Sequence, residues 1–206
     1  MHGGISFSKI GMLERLMNGI LKCALALLAA AALKLDASQT EVDWKRLMPA
    51  IEALVRRDLR SDTRYPVQIV RKVDLTGDGV PEALVNTGDG GAYTDYLTLI
   101  RVEDNKPVLA RFKERDGSVQ TKIFAEGSSV MHGETVETLP EKRALYVGHW
   151  DMDASGQQLA TCTVEAYRWN SHSSTFDYNG VLGLSLKDGF CRRIAGSLRG
   201  QAGEQR

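Results

Sequence analysis

The chain has 206 residues, of which 43% are hydrophobic and 25% are charged, and its 26 basic and 26 acidic side chains balance. This composition is typical of a globular protein, and it excludes a disordered or polyanionic chain. The balanced charge also argues against a nucleic-acid-binding protein, because such proteins use an excess of basic side chains to displace the counterions of the phosphates.

Residues 1–37 have the pattern of a secretory signal peptide. Lys9, Arg15 and Lys22 precede an uncharged apolar run at residues 23–33. This run is too short for a membrane-spanning helix, which needs about 20 apolar residues. We therefore predict a secreted or periplasmic protein that contacts a membrane only if the signal stays uncleaved as an anchor. A buried, alanine-rich helix is the alternative. Without residues 1–37, the chain has 22 basic and 24 acidic side chains and a net charge of −2.

Residues 41–60 show a helical period, with apolar side chains three and four positions apart. Thr40 and Asp43 are typical helix-capping residues. Pro49 interrupts the pattern, because proline inside a helix lacks the amide hydrogen that the helix uses. We predict that the main helix begins near Met48 and follows a short helical turn, while a kinked single helix is the alternative. The apolar positions are Val42, Leu47, Met48, Ile51, Leu54, Val55 and Leu59.

From Tyr65 onward, short runs of β-branched and aromatic residues alternate with clusters of Gly, Asp, Asn and Pro, which predicts strands and turns. Because no helix is predicted between the strands, we expect a mainly β fold with an antiparallel sheet, as a sandwich or in a partly propeller-like form, and one N-terminal amphipathic helix. A single domain is assigned to residues 41–198 and a disordered tail to residues 199–206. The predicted strands are 67–73, 82–87, 96–102, 107–113, 119–125, 134–138, 144–150, 159–169, 175–178 and 183–186.

Residues 74–82 place oxygen-bearing groups at alternate positions between two predicted strands. Ca²⁺ takes about six to eight oxygen ligands, and such alternation points them toward one side of a tight loop. Val85 stands where an EF-hand has its bidentate glutamate, which excludes that motif. A metal-free turn held by Asx hydrogen bonds is the alternative. The predicted ligands are the side chains of Asp74, Thr76, Asp78 and Glu82 and the backbone carbonyl of Val80.

Together with its flanking strands, the segment 69–88 resembles the calcium loop of FG-GAP and VCBS-type repeats. In that family the loop joins two strands of a propeller blade and holds Ca²⁺. The resemblance implies that Asp74, Asp78 and Glu82 are carboxylate ligands, whereas Thr76 stands where Asn or Asp is usual. A second, incomplete copy at residues 151–156 has Leu159 in place of the closing carboxylate, so we predict a metal-free turn there and no complete propeller.

Cys162 and Cys191 remain as an even pair, because the third cysteine, Cys23, lies in the predicted signal peptide. In an oxidising compartment such a pair is expected to form a disulfide. Closing this loop would stabilise the fold by about 3.5 kcal/mol in the chain-entropy model. The alternative is that the two residues are unrelated buried thiols.

His149, Asp151 and Asp153 lie at alternate positions of one predicted strand and would therefore share a face. A zinc site would need a further ligand, and the sequence around them does not identify one. We therefore predict an exported, calcium-stabilised, non-enzymatic β domain that binds a protein or a cell-envelope component. The alternatives are an envelope hydrolase that uses these three residues, and an inhibitor or immunity protein directed at a hydrolase.

Overall fold

Two helices and eleven strands make up the part of the chain that the structure describes. This computed structural model describes residues 41–59, 66–89, 94–129, 131–156 and 158–203, so the predicted signal peptide lies outside the described residues. A short 3-10 turn at Pro140–Lys142 joins β8 to β9. The elements are α1 (Trp44–Leu59), β1 (Gln68–Val73), β2 (Glu82–Asp89), β3 (Thr94–Glu103), β4 (Lys106–Leu109), β5 (Arg111–Lys113), β6 (Val119–Thr121), β7 (Phe124–Ser128), β8 (His132–Leu139), β9 (Ala144–Met152), β10 (Leu159–Asn170), β11 (Thr175–Tyr178) and α2 (Gly180–Gly203).

All eleven strands belong to one sheet, which confirms the predicted mainly β, antiparallel fold with an N-terminal helix. Ten strands follow the order β1-β2-β3-β7-β8-β9-β10-β11-β5-β6, and β4 pairs with β3. Among the strands that the structure describes, only β5 and β11 pair in parallel. Ala110 alone separates β4 from β5, so this run of chain pairs with β3 through its first half and with β11 through its second. The sheet therefore curls and has a concave face.

Aromatic side chains fill the centre of the concave face. The ring of Phe112 on β5 lies 5.3 Å from the rings of Phe124 and Tyr167 and 5.4 Å from that of Phe176, measured between centroids. All four side chains are buried. They come from four different strands, so the apolar contacts around Phe112 fix the curvature of the sheet.

The convex face is covered at one side by α1. Trp44, Ile51 and Val55 are the buried residues of this helix, and they pack on side chains such as Val85 and Ile100 of β2 and β3. The amide of Arg46 bonds to the Asp43 carboxylate at 3.1 Å, so Asp43 caps the helix. The helix begins at Trp44 and continues through Pro49, so the predicted start near Met48 was too late by about one turn.

The second helix, α2, covers β9 and β10 and corrects three expectations. We predicted only one helix, a strand at 183–186 and a disordered tail from residue 199, whereas residues 180–203 form a single helix. Its apolar side chains recur every four positions at Leu182, Leu186, Phe190 and Ile194, and they pack on the convex face. Packing on the sheet therefore stabilises this helix in spite of its glycines. Within the described residues, neither helix is long and apolar enough to cross a membrane.

The predicted cysteine pair joins α2 to the sheet. Cys162 on β10 and Cys191 on α2 are at disulfide-bonding distance, with their sulfurs 2.00 Å apart and their Cα atoms 6.0 Å apart. Both residues are half-buried beside the apolar cluster under α2. This crosslink and the packing of Phe190 therefore hold the same stretch of the helix.

Candidate functional site

Polar residues occupy the two ends of the concave face, and the apolar centre separates them. Along β10, Trp169 lies at the end next to residues 74–82, whereas Glu165 and Thr161 lie toward the opposite end. We call residues 74–82 the acidic loop. The two ends differ in composition.

Asp74 organises the acidic loop through backbone hydrogen bonds. One of its carboxylate oxygens accepts from the amide of Gly77 at 2.6 Å, and the other accepts from the amide of Gly79 at 3.0 Å. The Asp78 carboxylate accepts from the Val80 amide at 2.8 Å. These contacts are those of Asx turns, which hold a loop by side chains that replace backbone partners.

Glu82 closes the loop from the first position of β2 and is almost completely buried. Its Oε2 accepts hydrogen bonds from the amides of Leu75, at 2.6 Å, and Thr76, at 3.3 Å. Burial, together with the negative charges of Asp78 and Asp74, raises the pKa of this carboxyl group to about 7. Asp74 and Asp78 therefore both disfavour ionisation of Glu82.

Arg101 on β3 lies between the acidic loop and Trp169 on β10. Its Nε lies 4.0 Å from Oε1 of Glu82, and its Nη1 lies 2.7 Å from the Glu103 carboxylate. The guanidinium carbon is 4.2 Å from the centre of the Trp169 ring on β10. Arg101 therefore places a positive charge between the buried Glu82 and an aromatic face that favours cations.

Arg143 covers the turn of the loop. This residue follows the 3-10 turn and has a left-handed backbone, with φ of 49°. Its guanidinium lies so close to Gly77 that a Cβ at position 77 would come within 3.0 Å of it. Gly77 itself has φ of 75°, so both its backbone and its neighbour favour glycine.

The predicted calcium ligands are thus on one loop, and their donor atoms suit a hard cation. Three carboxylates, a hydroxyl and a backbone carbonyl are all oxygen donors, which fits Ca²⁺ chemically. In the conformation described, however, the carboxylates accept hydrogen bonds from amides of the loop itself. Among the described residues, no three His, Cys, Asp or Glu side chains are arranged to hold a metal ion together. Carboxylate oxygens can accept such bonds and still ligate a cation through their remaining lone pairs, so calcium binding would require the three carboxylates to converge further than they do here.

The incomplete second copy of the loop has a different arrangement. Asp151 lies within β9 and accepts a hydrogen bond at 2.5 Å from Thr161 on the neighbouring strand. Asp153 lies in the following turn, where its carboxylate accepts from Ser155 and from the amide of Gln158. Asp151 and Asp153 therefore have different hydrogen-bond partners, and Asp153 lies beyond the end of β9, which ends at Met152.

At the opposite end, Tyr167 forms the base of a network of charged groups. Its ring is buried, and its hydroxyl oxygen lies 3.0 Å from the Glu114 carboxylate and 3.3 Å from that of Glu165, either of which can accept its one proton. Lys122 donates to the same hydroxyl, lies over the Tyr167 ring and is 3.0 Å from the Glu114 carboxylate. Burial and the two carboxylates raise the pKa of Tyr167, so the hydroxyl stays protonated as a donor.

His149 extends this network along β9. Its Nδ1 lies 3.0 Å from Oε2 of Glu134, which is its direct partner on β8. The hydrogen bond that Nδ1 donates to Glu134 raises the pKa of the imidazole above its ordinary value. Partial burial opposes this shift, and the charges of Glu134, Glu165 and Asp151 assist it. We call Glu114, Lys122, Glu134, His149, Asp151, Glu165 and Tyr167 together the polar cluster.

The polar cluster contains the elements of acid–base chemistry and of charge recognition. A carboxylate that is bonded to one imidazole nitrogen orients the ring, as in many general bases. Sequence analysis identified only His149 and Asp151 of this group. The remaining members come from segments distant in sequence, and no local spacing in the sequence connects them. Comparison of the chain with protein-family models, curated proteins and solved structures found no match in any of the three.

Proposed function

We propose that the protein is an exported, non-enzymatic β domain, stabilised by a disulfide and by Ca²⁺, that binds a protein or a cell-envelope component. The observation that carries the proposal is the pairing of Cys162 with Cys191. Disulfides persist in oxidising compartments and are rare in reducing ones. Together with the signal-like residues 1–37, this pairing supports a secreted or periplasmic location.

Export is tested with the full chain expressed in a Gram-negative host. We expect a processed protein in the periplasmic fraction or the medium, with Cys162 and Cys191 protected from thiol alkylation until a reductant is added. A chain that lacks residues 1–37 should stay in the cytoplasm with both thiols reactive. Full-length protein that is retained in the cytoplasm with free thiols would contradict the proposal.

Calcium stabilisation follows from the donor set of the acidic loop and its resemblance to FG-GAP and VCBS-type loops. Asp74, Asp78 and Glu82 would supply the carboxylates, with Thr76 and the Val80 carbonyl completing the site. The bound cation would offset the repulsion among these carboxylates and hold β1 and β2 together as a structural ion. No chemical step is assigned to it.

Calorimetric titration with Ca²⁺ tests this part of the proposal. We expect binding to the wild type, loss of binding in Asp78→Ala, and a rise in melting temperature only where Ca²⁺ binds. Asp116→Ala is a matched control, because Asp116 also accepts a bond from the amide two residues ahead, in the hairpin between β5 and β6. No heat and no stabilisation at millimolar Ca²⁺ would remove calcium from the proposal.

A second candidate function, an envelope hydrolase, is supported by the contact between His149 and Glu134. This pair would replace the predicted set of His149, Asp151 and Asp153, because Asp153 is held in the turn. Hydrolysis of ester, amide or glycoside substrates by the wild type and its loss in His149→Gln would favour the enzyme. If the wild type and His149→Gln both capture the same partner from an envelope extract with saturable binding, a binding function would be favoured. If that partner is a hydrolase and the protein inhibits it, the protein would be an inhibitor or immunity protein.

A further inference from the structure

We propose that His149 is a pH-sensitive switch whose protonation strengthens its contact with Glu134 between β9 and β8 and reduces the negative charge of the concave face. The inference deepens the proposed function, because it concerns how an exported binding surface responds to the pH of its surroundings. Its chemistry depends only on the polar cluster and is independent of the calcium loop.

The geometry places the imidazole directly opposite its carboxylate partner. Glu134 and His149 are paired residues of neighbouring antiparallel strands, and Nδ1 lies 3.0 Å from Oε2. The side chains are 41% and 27% exposed for His149 and Glu134. The imidazole can therefore exchange protons with solvent while it remains held between the two strands. A neutral ring makes one hydrogen bond here, and a charged ring makes the same bond as an ion pair.

The groups that face His149 from the surrounding strands carry negative charge. Glu134 approaches from β8, Glu165 from β10, and Asp151 from two positions further along β9. The ammonium of Lys122 is engaged with Glu114 and with the hydroxyl of Tyr167. The polar cluster has four carboxylates and one ammonium, so its net charge is −3, and protonation of His149 reduces it to −2. The carboxylates are those of Glu114, Glu134, Asp151 and Glu165.

The direction of the response follows from linkage. The folded-state pKa of His149 is raised above its ordinary value of 6.5, so the folded protein binds this proton more tightly than the unfolded chain. The stabilising contribution is therefore complete below pH 6.5 and is lost as the pH rises through the higher, folded-state pKa. Periplasmic and secreted proteins experience the pH of the medium, so the proposed location would expose the switch to such changes.

The test is an NMR titration of the imidazole in the purified full chain, with the His149 signal assigned by its loss in His149→Gln. We expect a midpoint above 6.5 in the wild type and a lower midpoint in Glu134→Gln, which keeps an acceptor at this position but removes its charge. Glu126→Gln is the matched control. It removes a charge from the neighbouring strand β7, where Glu126 contacts the amide of Val136, and it should leave the midpoint unchanged.

The melting temperature provides a second readout. We expect the difference in melting temperature between His149→Gln and the wild type to be larger at pH 5.5 than at pH 8.

A wild-type midpoint at or below 6.5, or a midpoint unaffected by Glu134→Gln, would overturn the switch. If Glu134→Gln does not fold, Glu165→Gln is expected to lower the midpoint in the same direction, and an unchanged midpoint there would also overturn it. These results do not depend on export or on Ca²⁺, so failure of the switch is distinguishable from failure of the proposed function.

Discussion

The ring of Phe190 on α2 lies against the backbone of Gly148 on β9, so closely that a Cβ at position 148 would come within 3.0 Å of the ring. Phe190 is buried, and its ring also contacts that of Tyr146 edge-on, with 6.2 Å between centroids. The absence of a side chain at Gly148 therefore determines how deeply α2 sits on the sheet. This contact and the disulfide one residue further along fix the position of the helix.

We expect Gly148→Ala to destabilise the fold by about 1–3 kcal/mol, because the new methyl group must displace a buried ring. Urea denaturation measures the change. Gly189→Ala is the control, since a Cβ at this helical position meets no other group within 4 Å. We expect this substitution to be neutral or to stabilise by up to about 1 kcal/mol. Equal stabilities of Gly148→Ala and the wild type would show that α2 does not sit as described.

Removal of the disulfide should lower the free energy of unfolding, because the unfolded chain gains conformational entropy without the crosslink. Cys162 and Cys191 are 29 positions apart, and replacing both with alanine is expected to cost about 3.5 kcal/mol. Denaturation of the wild type in the presence of a reductant should give nearly the same stability as the double variant under oxidising conditions. A double variant as stable as the oxidised wild type would contradict the crosslink as a source of stability.

The buried Glu82 should make the protein less stable as the pH rises. Because its folded-state pKa of about 7 exceeds the ordinary value of 4.5, its contribution is complete below pH 4.5 and is lost as the pH approaches 7. Measured in a chelator, the free energy of unfolding should fall by up to about 3 kcal/mol from this group between pH 4 and pH 8. Glu82→Gln should remove this part of the pH dependence. An unchanged pH profile would show that Glu82 is ionised in the folded protein throughout this range.

Alanine substitutions at two glycines of the acidic loop distinguish the cost of backbone strain from the cost of displacing Arg143. Gly77 and Gly79 have φ of 75° and 84°, so alanine at either position is expected to cost about 1–2 kcal/mol. At Gly79 a Cβ meets nothing within 4 Å, whereas at Gly77 it would also displace the guanidinium of Arg143. Gly77→Ala should therefore be the more destabilising variant, and Arg143→Ala should remove the difference. Equal costs with Arg143 present would show that its guanidinium does not oppose a side chain at position 77.

The strands were well predicted because alternation and turn residues are local signals. The predicted strand at 107–113 corresponds to β4 and β5, separated by Ala110, and the predicted strand at 119–125 corresponds to β6 and the start of β7. Helix α2 was missed because Gly183, Gly189 and Gly196 lower the intrinsic helix propensity of the segment. The spacing of its apolar residues at every fourth position, after the capping residue Asn179, was the signal that identifies it.

The two ends of the concave face differ in how far the sequence could predict them. The acidic loop is nine consecutive residues, so its oxygen donors and glycines are visible as a motif. The polar cluster joins Glu114 to Tyr167, which are 53 positions apart and meet only because β5 pairs with β11 beside β10. No spacing rule connects such residues. Their proximity depends on strand order, which the local pattern does not determine.

The parallel pairing of β5 with β11 also has a kinetic consequence. Phe112 and Phe176 are partners in this pairing although they are 64 positions apart in the chain. Contacts between such distant residues form slowly, because a long loop must close before they contribute any stability. The curl around Phe112 therefore cannot be completed until β11, near the end of the chain, is available. Until β11 has been synthesised, β5 lacks this partner and β10 keeps an unpaired edge.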